Sequence, residues 1–240
     1  MNFFFPVLLL ILSDTISAKE PICHPWEIPV KAHKVKKYKK KDGITVRTTN
    51  RKAHCREKWR LANVNPAKLK NKSKLLKPKY KLRKWTEEDK LTILENLSTV
   101  PDSLSSLPVN TIIRVKSAGH KDNPASSEIK QNTIVIADPY FKSFQKSEIL
   151  IHELAHFEFM KLTNQEIGEF LSLSGWTLEE PSLIARKATI IPPKKLILAD
   201  SDNSIEEDFA NCLEVYFSNP QKLKSFNKQL YLYFKKRYKK

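Results

Sequence analysis

Residues 148–159 have the sequence EILIHELAHFEF, in which two histidines stand four apart and a glutamate follows the first. Side chains four apart on an α-helix project from the same face, one turn apart. His152 and His156 can therefore reach one metal ion together, with Glu153 beside them. Apolar residues recur around the motif at the helical period, so we predict a buried helix over about 146–161.

A histidine pair with an adjacent glutamate suits a catalytic zinc site. Zinc binds imidazole nitrogens, and its catalytic sites use three protein ligands and leave one position for water. The glutamate can take a proton from zinc-bound water and return it to the leaving amine. The sequence thus predicts Zn2+ as cofactor, His152 and His156 as ligands and Glu153 as the catalytic residue. The alternative is an amphipathic helix that carries two hydrogen-bonded histidines.

The third ligand must come from another segment, because FEFMKL follows His156 and contains no further histidine. A second helix is predicted over about 204–218, in SIEEDFANCLEVYFSNP. Glu207 lies off the apolar stripe of this helix and is the preferred carboxylate ligand. It also fits a capping box with Ser204, which is a purely structural role. Three further acids are alternative ligands: Glu206, Asp200 and Asp202.

IHELAH, followed about fifty residues later by EEDFANCLEVYFSNP, resembles the glutamate zincins, in which H-E-x-x-H is completed by an E-x-F-A segment. The bacterial MtfA-like peptidases and the catalytic domain of anthrax lethal factor are examples. The resemblance covers about residues 100–225 and is specific only at the two helices. It implies a small α+β zincin domain with an edge strand before the active-site helix. It also implies that His152, His156 and Glu207 bind the zinc.

One part of that family's pattern is missing. Many such peptidases have a tyrosine or histidine just ahead of the third-ligand helix, which stabilises the oxyanion, whereas this chain has PPKKLILADSDN there. Tyr216 and Tyr140 are alternative sources of that hydrogen bond. Ala210, one turn after Glu207, is small enough to let the two helices approach. Trp176 is expected either to be structural or to shape the cleft.

Positive charge is concentrated in one segment. The formal net charge is +17, and residues 31–84 contain 22 lysines and arginines but only two acids. This composition predicts a basic, largely irregular region over 19–84. Residues 31–84 would contact an anionic polymer or a membrane surface, or would simply be a solvated extension. Sparse aromatic residues and predicted export argue against nucleic acid as the partner.

Residues 1–18 resemble a secretory signal peptide, since the apolar run from Phe3 to Leu12 is too short to span a bilayer. The protein is therefore expected to be secreted or periplasmic. In an oxidising compartment Cys23 and Cys55 are the most plausible disulfide pair, and Cys212 is expected to be a buried free thiol.

Residues 85–240 are predicted to be a zincin-like catalytic domain of the α+β class. Thr86 should cap a helix that ends near Leu97. Strands are expected in 110–116 and 132–141, joined by turn-rich sequence at 119–127.

The predicted function is a zinc-dependent metallopeptidase that acts on a protein or peptide, with a peptidoglycan amide as a further possibility. The alternative is a non-catalytic binding protein on a zincin scaffold, attached to anionic polymers or surfaces by its basic arm.

Overall fold

The computed structural model describes residues 21–24, 27–41, 43–62, 80–109, 111–119, 122–178, 190–191, 193 and 195–238. The chain divides into two compact units, the first ending at Lys58 and the second beginning at Trp59. The predicted signal peptide and residues 63–79 of the basic region lie outside the described residues. Within the described ranges no helix is long and apolar enough to cross a membrane.

The first unit contains one long β-hairpin. Its six short strands are β1 (Glu27–Val30), β2 (His33–Val35), β3 (Tyr38–Lys39), β4 (Thr45–Val46), β5 (Thr49–Arg51) and β6 (His54–Glu57). They pair antiparallel as β1 with β6, β2 with β5 and β3 with β4. A single register runs through all three pairs, since Glu27 faces Glu57, His33 faces Arg51 and Tyr38 faces Val46.

Two local features hold the ends of this hairpin. At the turn, Gly43 has φ +85°, a left-handed conformation that glycine adopts without steric cost. At the base, the expected disulfide joins Cys23 to Cys55. Residues 27–57 thus form paired strands where the composition predicted a largely irregular segment. Backbone pairing and the disulfide supply the order that a hydrophobic core would otherwise provide.

The second unit is built on a four-stranded mixed sheet. Its strands are β7 (Leu61–Ala62), β8 (Thr111–Arg114), β9 (Ala125–Glu128) and β10 (Thr133–Ile136), in the order β7-β8-β10-β9. The first three positions in that order are parallel, and β9 pairs antiparallel with β10 at the edge. The strand predicted over 110–116 is confirmed in its central part, and the strand predicted over 132–141 is confirmed in its first half. Strand β9 begins within the predicted turn-rich connection at 119–127 and ends at Glu128, so the end of that connection is a strand.

Eight α-helices are present in the described part of the second unit. They are α1 (Glu87–Ser98), α2 (Asp102–Ser105), α3 (Asp138–Lys142), α4 (Lys146–Lys161), α5 (Asn164–Ser174), α6 (Ile205–Ser218), α7 (Pro220–Phe226) and α8 (Lys228–Arg237). A further strand pair consists of β11 (Thr177–Leu178) and β12 (Ile190–Ile191). The α+β class is therefore confirmed.

Two boundaries differ from the prediction. The chain divides at Lys58 and Trp59 rather than at 84 and 85, because β7 pairs with β8 and Leu82 bridges Val115. The predicted strand 132–141 ends at Ile136, and Asp138 then opens helix α3. Pro139 lies in the first turn of that helix, where the absence of a backbone N–H costs nothing.

Helices α4 and α6 pack against each other over much of their lengths and against an aromatic cluster. The ring of Phe209, on α6, lies 5.5 Å from Phe159, 5.2 Å from Phe170 and 5.5 Å from Phe234. Phe209 and Ala210 are both completely buried. This core fixes the rotation of α6 relative to α4, and it therefore fixes which acidic side chains of α6 face the histidines.

Candidate metal centre

Helix α4 carries the histidine motif on a face that is largely buried. Leu150, Leu154 and Phe157 anchor the helix in the core. Glu153 and His156 are 7% and 8% exposed, so their polar side chains need partners inside the protein. The predicted helix over 146–161 is confirmed, and its second inward stripe is lined by polar groups.

Helix α6 starts at a capped N-terminus that brings acidic residues toward α4. The Ser204 hydroxyl accepts a hydrogen bond from the backbone N–H of Glu207 at 3.1 Å, which is an N-cap. Because this cap uses only the backbone of Glu207, the carboxylate of Glu207 stays available for the site. The buried Ala210 one turn later leaves room for the close approach of the two helices.

The side chains of His152, His156 and Glu207 converge. The Nε2 atoms of the two histidines lie 3.2 Å and 3.8 Å from the same carboxylate oxygen, Oε2 of Glu207. The imidazole rings are 5.0 Å apart between centroids and nearly perpendicular, at 80°. One ligand atom from each of the three residues lies within 4.8 Å of the other two.

Each histidine also has a carboxylate of its own at its other ring nitrogen, Nδ1. The Nδ1 atom of His152 lies 3.3 Å from Oε2 of Glu214, and that of His156 lies 3.0 Å from Oε1 of Glu206. A carboxylate beside Nδ1 favours the imidazole tautomer that carries its proton on Nδ1. The lone pair of Nε2 is then free to bind a metal ion. Both histidines are thus oriented with Nε2 toward Glu207.

The same contacts shift the ionisation of the site. Burial lowers the pKa of His152, but hydrogen bonds with Glu207 and Glu214 outweigh it and raise the pKa to about 10. For His156, burial is again opposed by a carboxylate, Glu206, and the net pKa is raised. The hydrogen bond with His152 holds the pKa of Glu207 below its usual value against the effect of burial. The surrounding carboxylates therefore favour positive charge at this point.

Glu153 is held by the edge strand β9. The Ser127 hydroxyl lies 2.6 Å from Oε2 of Glu153 and 2.7 Å from its backbone carbonyl oxygen. Its single proton can be donated to only one of these acceptors at a time. This contact fixes the Glu153 side chain beside the histidines without involving the three converging donor atoms.

These residues line an open cleft of about 440 Å³. One wall is formed by β9 and the residues before it, and the other by the start of α6. The lining is almost entirely polar and comprises Asn123, Ala125, Ser126, Ser127, His152, Glu153, His156, Asp200, Asn203, Glu206 and Glu207. A second cavity of about 270 Å³ adjoins it and shares His152, Glu153, Asn123 and Asp200. Together they form a groove along the edge of the sheet.

The remaining candidates from the sequence fall into other positions. Glu206 contacts the outer nitrogen of His156, and Asp200 lines the cleft, where its carboxylate accepts a hydrogen bond from Asn211 at 2.8 Å. Asp202 is exposed and does not line the cleft. Neither Tyr140 nor Tyr216 is part of the lining, and Tyr140 is fully buried.

Trp176 has a structural role. Its ring is buried, and its indole N–H donates to the Asp208 carboxylate at 2.9 Å. Cys212 is a buried free thiol, as expected. Arg237, in the basic C-terminal tail, forms ion pairs with Glu158 of α4 and Glu166 of α5, so this part of the tail ties helices together.

Two site residues were missed in the sequence. Glu214 is seven positions after Glu207, two helical turns on the same face, so the helical period could have identified it. No sequence signal pointed to Ser127, because its contact with Glu153 depends on the pairing of β9 with β10.

Comparisons of the chain with protein families, with curated proteins and with solved structures found no match. The resemblance to glutamate zincins therefore rests on the two helical motifs alone.

Proposed function

We propose that the chain is a zinc-dependent metallopeptidase of the zincin type, which hydrolyses peptide bonds in the cleft between α4, α6 and β9. The convergence of both histidine Nε2 atoms on one oxygen of Glu207 is the observation that carries this proposal. An ordinary pair of core histidines would need one acceptor each, and would not need a third group shared between them.

The donor set fits a zinc ion. Tetrahedral zinc with bonds of about 2.0–2.1 Å has ligand atoms about 3.3 Å apart. The separations of 3.2 Å and 3.8 Å from Glu207 Oε2 to the two Nε2 atoms are close to that value. The carboxylates of Glu214 and Glu206 at the outer nitrogens are the second set of contacts that zinc-binding histidines usually have. In this proposal His152, His156 and Glu207 hold the ion.

The chain's own residues would then divide the remaining chemistry. Zinc, when bound, supplies a Lewis acid for the scissile carbonyl and increases the acidity of a water molecule. Glu153 takes the proton from the attacking water and delivers it to the leaving amine nitrogen. Ser127 holds the Glu153 carboxylate in position through its hydroxyl.

The edge strand and Asn203 are proposed to position the substrate. Because β9 is the edge strand of the sheet formed by the described residues, its outer side is proposed to pair with an extended peptide. Asn203 lines the cleft directly ahead of α6, the place where the resemblance implies a tyrosine or histidine. Its side-chain amide is the proposed hydrogen-bond donor to the oxyanion.

The metal centre is tested by zinc content. We expect the purified protein to retain about one zinc per chain after dialysis. Glu207→Ala should lose it, whereas Glu206→Ala, which alters only an outer contact, should keep it at high zinc. A protein without bound zinc, or one in which the two variants behave alike, would contradict the His, His, Glu centre.

Catalysis is tested separately with labelled casein and with peptidoglycan fragments. Glu153→Gln should retain zinc but lose activity by about 100-fold or more, and Asn203→Ala should lose activity with the zinc content unchanged. If the zinc-loaded protein cleaves neither substrate class, the alternative of a non-catalytic binding protein on the same scaffold is favoured.

A further inference from the structure

The hairpin of the first unit has a basic tip with apolar side chains on it. Residues 34–47 contain seven lysines and arginines, and the described lysines among them are exposed. Tyr38 is 50% exposed and Ile44 is 58% exposed, although both are large apolar side chains. Neither the proposed peptidase site nor the fold of this unit accounts for their exposure.

The register places these apolar side chains together. Tyr38 lies directly opposite Val46, so the two share one face of the hairpin. Ile44 is two residues before Val46, and residues two apart in a strand point to the same side. The backbone N–H of Lys40 donates to the carbonyl of Ile44 at 2.8 Å, which continues the pairing to the turn. Tyr38, Ile44 and Val46 are defined here as the apolar tip.

Lysines surround the apolar tip. Lys36 lies two positions before Tyr38 and Lys40 two positions after it, so both are on the same face of the hairpin as the apolar tip. Lys37, Lys39 and Arg47 occupy the opposite face by the same alternation. None of these five side chains forms a salt bridge with any residue that the structure describes. The positive charge at the tip is therefore available to an external partner.

We propose that the tip of the hairpin binds the surface of an anionic lipid bilayer. Juxtaposed lysines attract anionic headgroups, and long lysine side chains reach the phosphates while apolar neighbours enter the interface. Tyrosine is favoured at that depth because its ring is apolar and its hydroxyl is polar. The combination of charge and exposed apolar surface gives the two signals that stable membrane attachment requires.

A soluble polyanion fits the hairpin less well. Such a polymer would use the lysines, but it would gain little from Ile44 and Val46, since neither can stack on a base or donate a hydrogen bond. Binding to a polymer should therefore depend on charge alone. Binding to a bilayer should depend on charge and on the apolar tip together, and this difference distinguishes the two partners.

The first experiment is co-sedimentation with vesicles of phosphatidylcholine, with or without one quarter phosphatidylglycerol. It uses the full chain and, in parallel, the chain beginning at Lys19, so that the apolar stretch Phe3–Leu12 is not responsible for the result. We expect binding to the anionic vesicles only. Equal binding to both vesicle types, or none to either, would overturn the proposal.

Two hairpin variants test the two contributions. Replacing Lys36, Lys37, Lys39 and Lys40 with Gln should weaken binding by more than 100-fold, at about fivefold per charge. Tyr38→Ser with Ile44→Ser keeps every charge and should weaken binding by about 10-fold. These side chains are exposed, so both variants should fold. The matched control replaces four exposed lysines of α7 and α8 with Gln, and it should bind like the wild type. These lysines are Lys222, Lys224, Lys228 and Lys236.

A competing polyanion and a second aromatic site complete the test. If inorganic polyphosphate binds as tightly as the vesicles, and the apolar variant changes neither affinity, the partner is a soluble polymer and the bilayer proposal fails.

Phe144 is fully exposed on the second unit and is another apolar candidate. Loss of vesicle binding in Phe144→Ser with no effect of the hairpin variants would also overturn it. Each readout is independent of hydrolytic activity.

Discussion

The contact between Glu214 and His152 gives the sharpest prediction about the candidate metal centre. Oε2 of Glu214 lies 3.3 Å from Nδ1 of His152, and its side chain is only 17% exposed, so solvent screens the contact little. If Glu214 orients His152 for zinc, its replacement should weaken zinc binding without removing a ligand. Glu214→Ala and Glu214→Gln separate the loss of the whole contact from the loss of its charge.

The magnitudes follow from hydrogen-bond energies. A hydrogen bond to a charged partner contributes about 2 kcal/mol and a neutral one about 1 kcal/mol. Glu214→Gln retains a neutral acceptor and should weaken zinc binding about fivefold, whereas Glu214→Ala should weaken it about 30-fold. Glu206→Gln should have a smaller effect, because the Glu206 side chain is 37% exposed and its charge is better screened.

The measurement is competition for zinc with a chromophoric chelator at constant pH and ionic strength. Glu148→Gln is the matched control, because Glu148 lines the adjoining cavity but its carboxylate forms no hydrogen bond or ion pair with His152 or His156, so this variant should stay within about twofold of the wild type. If Glu214→Ala abolished binding as completely as Glu207→Ala, Glu214 would be a ligand. If it had no effect, the contact would not orient His152. Either result would refute the reasoning.

Three further predictions concern the support of the site and of the fold. Ser127→Ala should leave zinc affinity unchanged and lower kcat by about 5- to 30-fold, since only the orientation of Glu153 is lost; an unchanged kcat in hydrolysis assays would contradict this. Phe209→Ala should lower the free energy of unfolding by about 3–5 kcal/mol in urea titrations, because the ring is fully buried; a cost below about 1 kcal/mol would contradict the packing. The pKa of Glu166 is lowered by the backbone N–H of Thr163 and by Arg237, so the stability that Glu166 contributes is present above its unfolded pKa and lost as the pH falls through its folded pKa. Glu166→Gln should therefore cost less than about 1 kcal/mol at pH 7 and progressively less as the pH falls below 4.5, the ordinary pKa of a glutamate, and a cost that does not change with pH would refute this assignment.

The two site helices could be predicted because their signals are local. Helix α4 has the bounds expected from the helical period, and α6 begins directly after the cap Ser204. Cap chemistry and periodicity depend only on residues within a few turns of each other. The choice between Glu207 and Glu206 was open in the sequence. The two side chains point in directions about 100° apart on the helix, and the sequence does not fix which direction faces α4. Only the packing of α6 on α4 separates the two roles.

Strand β9 could not be predicted from its own residues. Its sequence, ASSE, has no apolar alternation and contains two serines that suit a turn. It is a strand because its backbone pairs with β10, and that pairing is a tertiary contact. The candidate site depends on this strand, because Ser127 contacts Glu153 only when β9 is paired with β10.

The hairpin was not predicted because its basic composition is typical of an irregular segment. Composition suggested that residues 27–57 bury too little surface to fold, which is correct for a hydrophobic core but leaves out backbone pairing and a disulfide. Two local signals were present: a glycine directly after Asp42, typical of a hairpin turn, and the β-branched residues of TVRTT at 45–49. These signals predict strand pairing even in a segment in which 11 of 31 residues are lysine or arginine.

The net charge of +17 describes neither the cleft nor the tip of the hairpin. The cleft is lined by Glu153, Asp200, Glu206 and Glu207 with no lysine or arginine among its described lining residues, whereas the hairpin tip is almost purely basic. A cation is therefore attracted to one region and an anionic surface to the other. Added salt should strongly weaken the proposed attachment of the hairpin, because its charges are exposed and dissolved ions screen them, and it should affect the partly buried residues of the proposed zinc site much less. Measuring vesicle binding and zinc affinity over the same range of salt concentration would therefore show whether the two regions act independently.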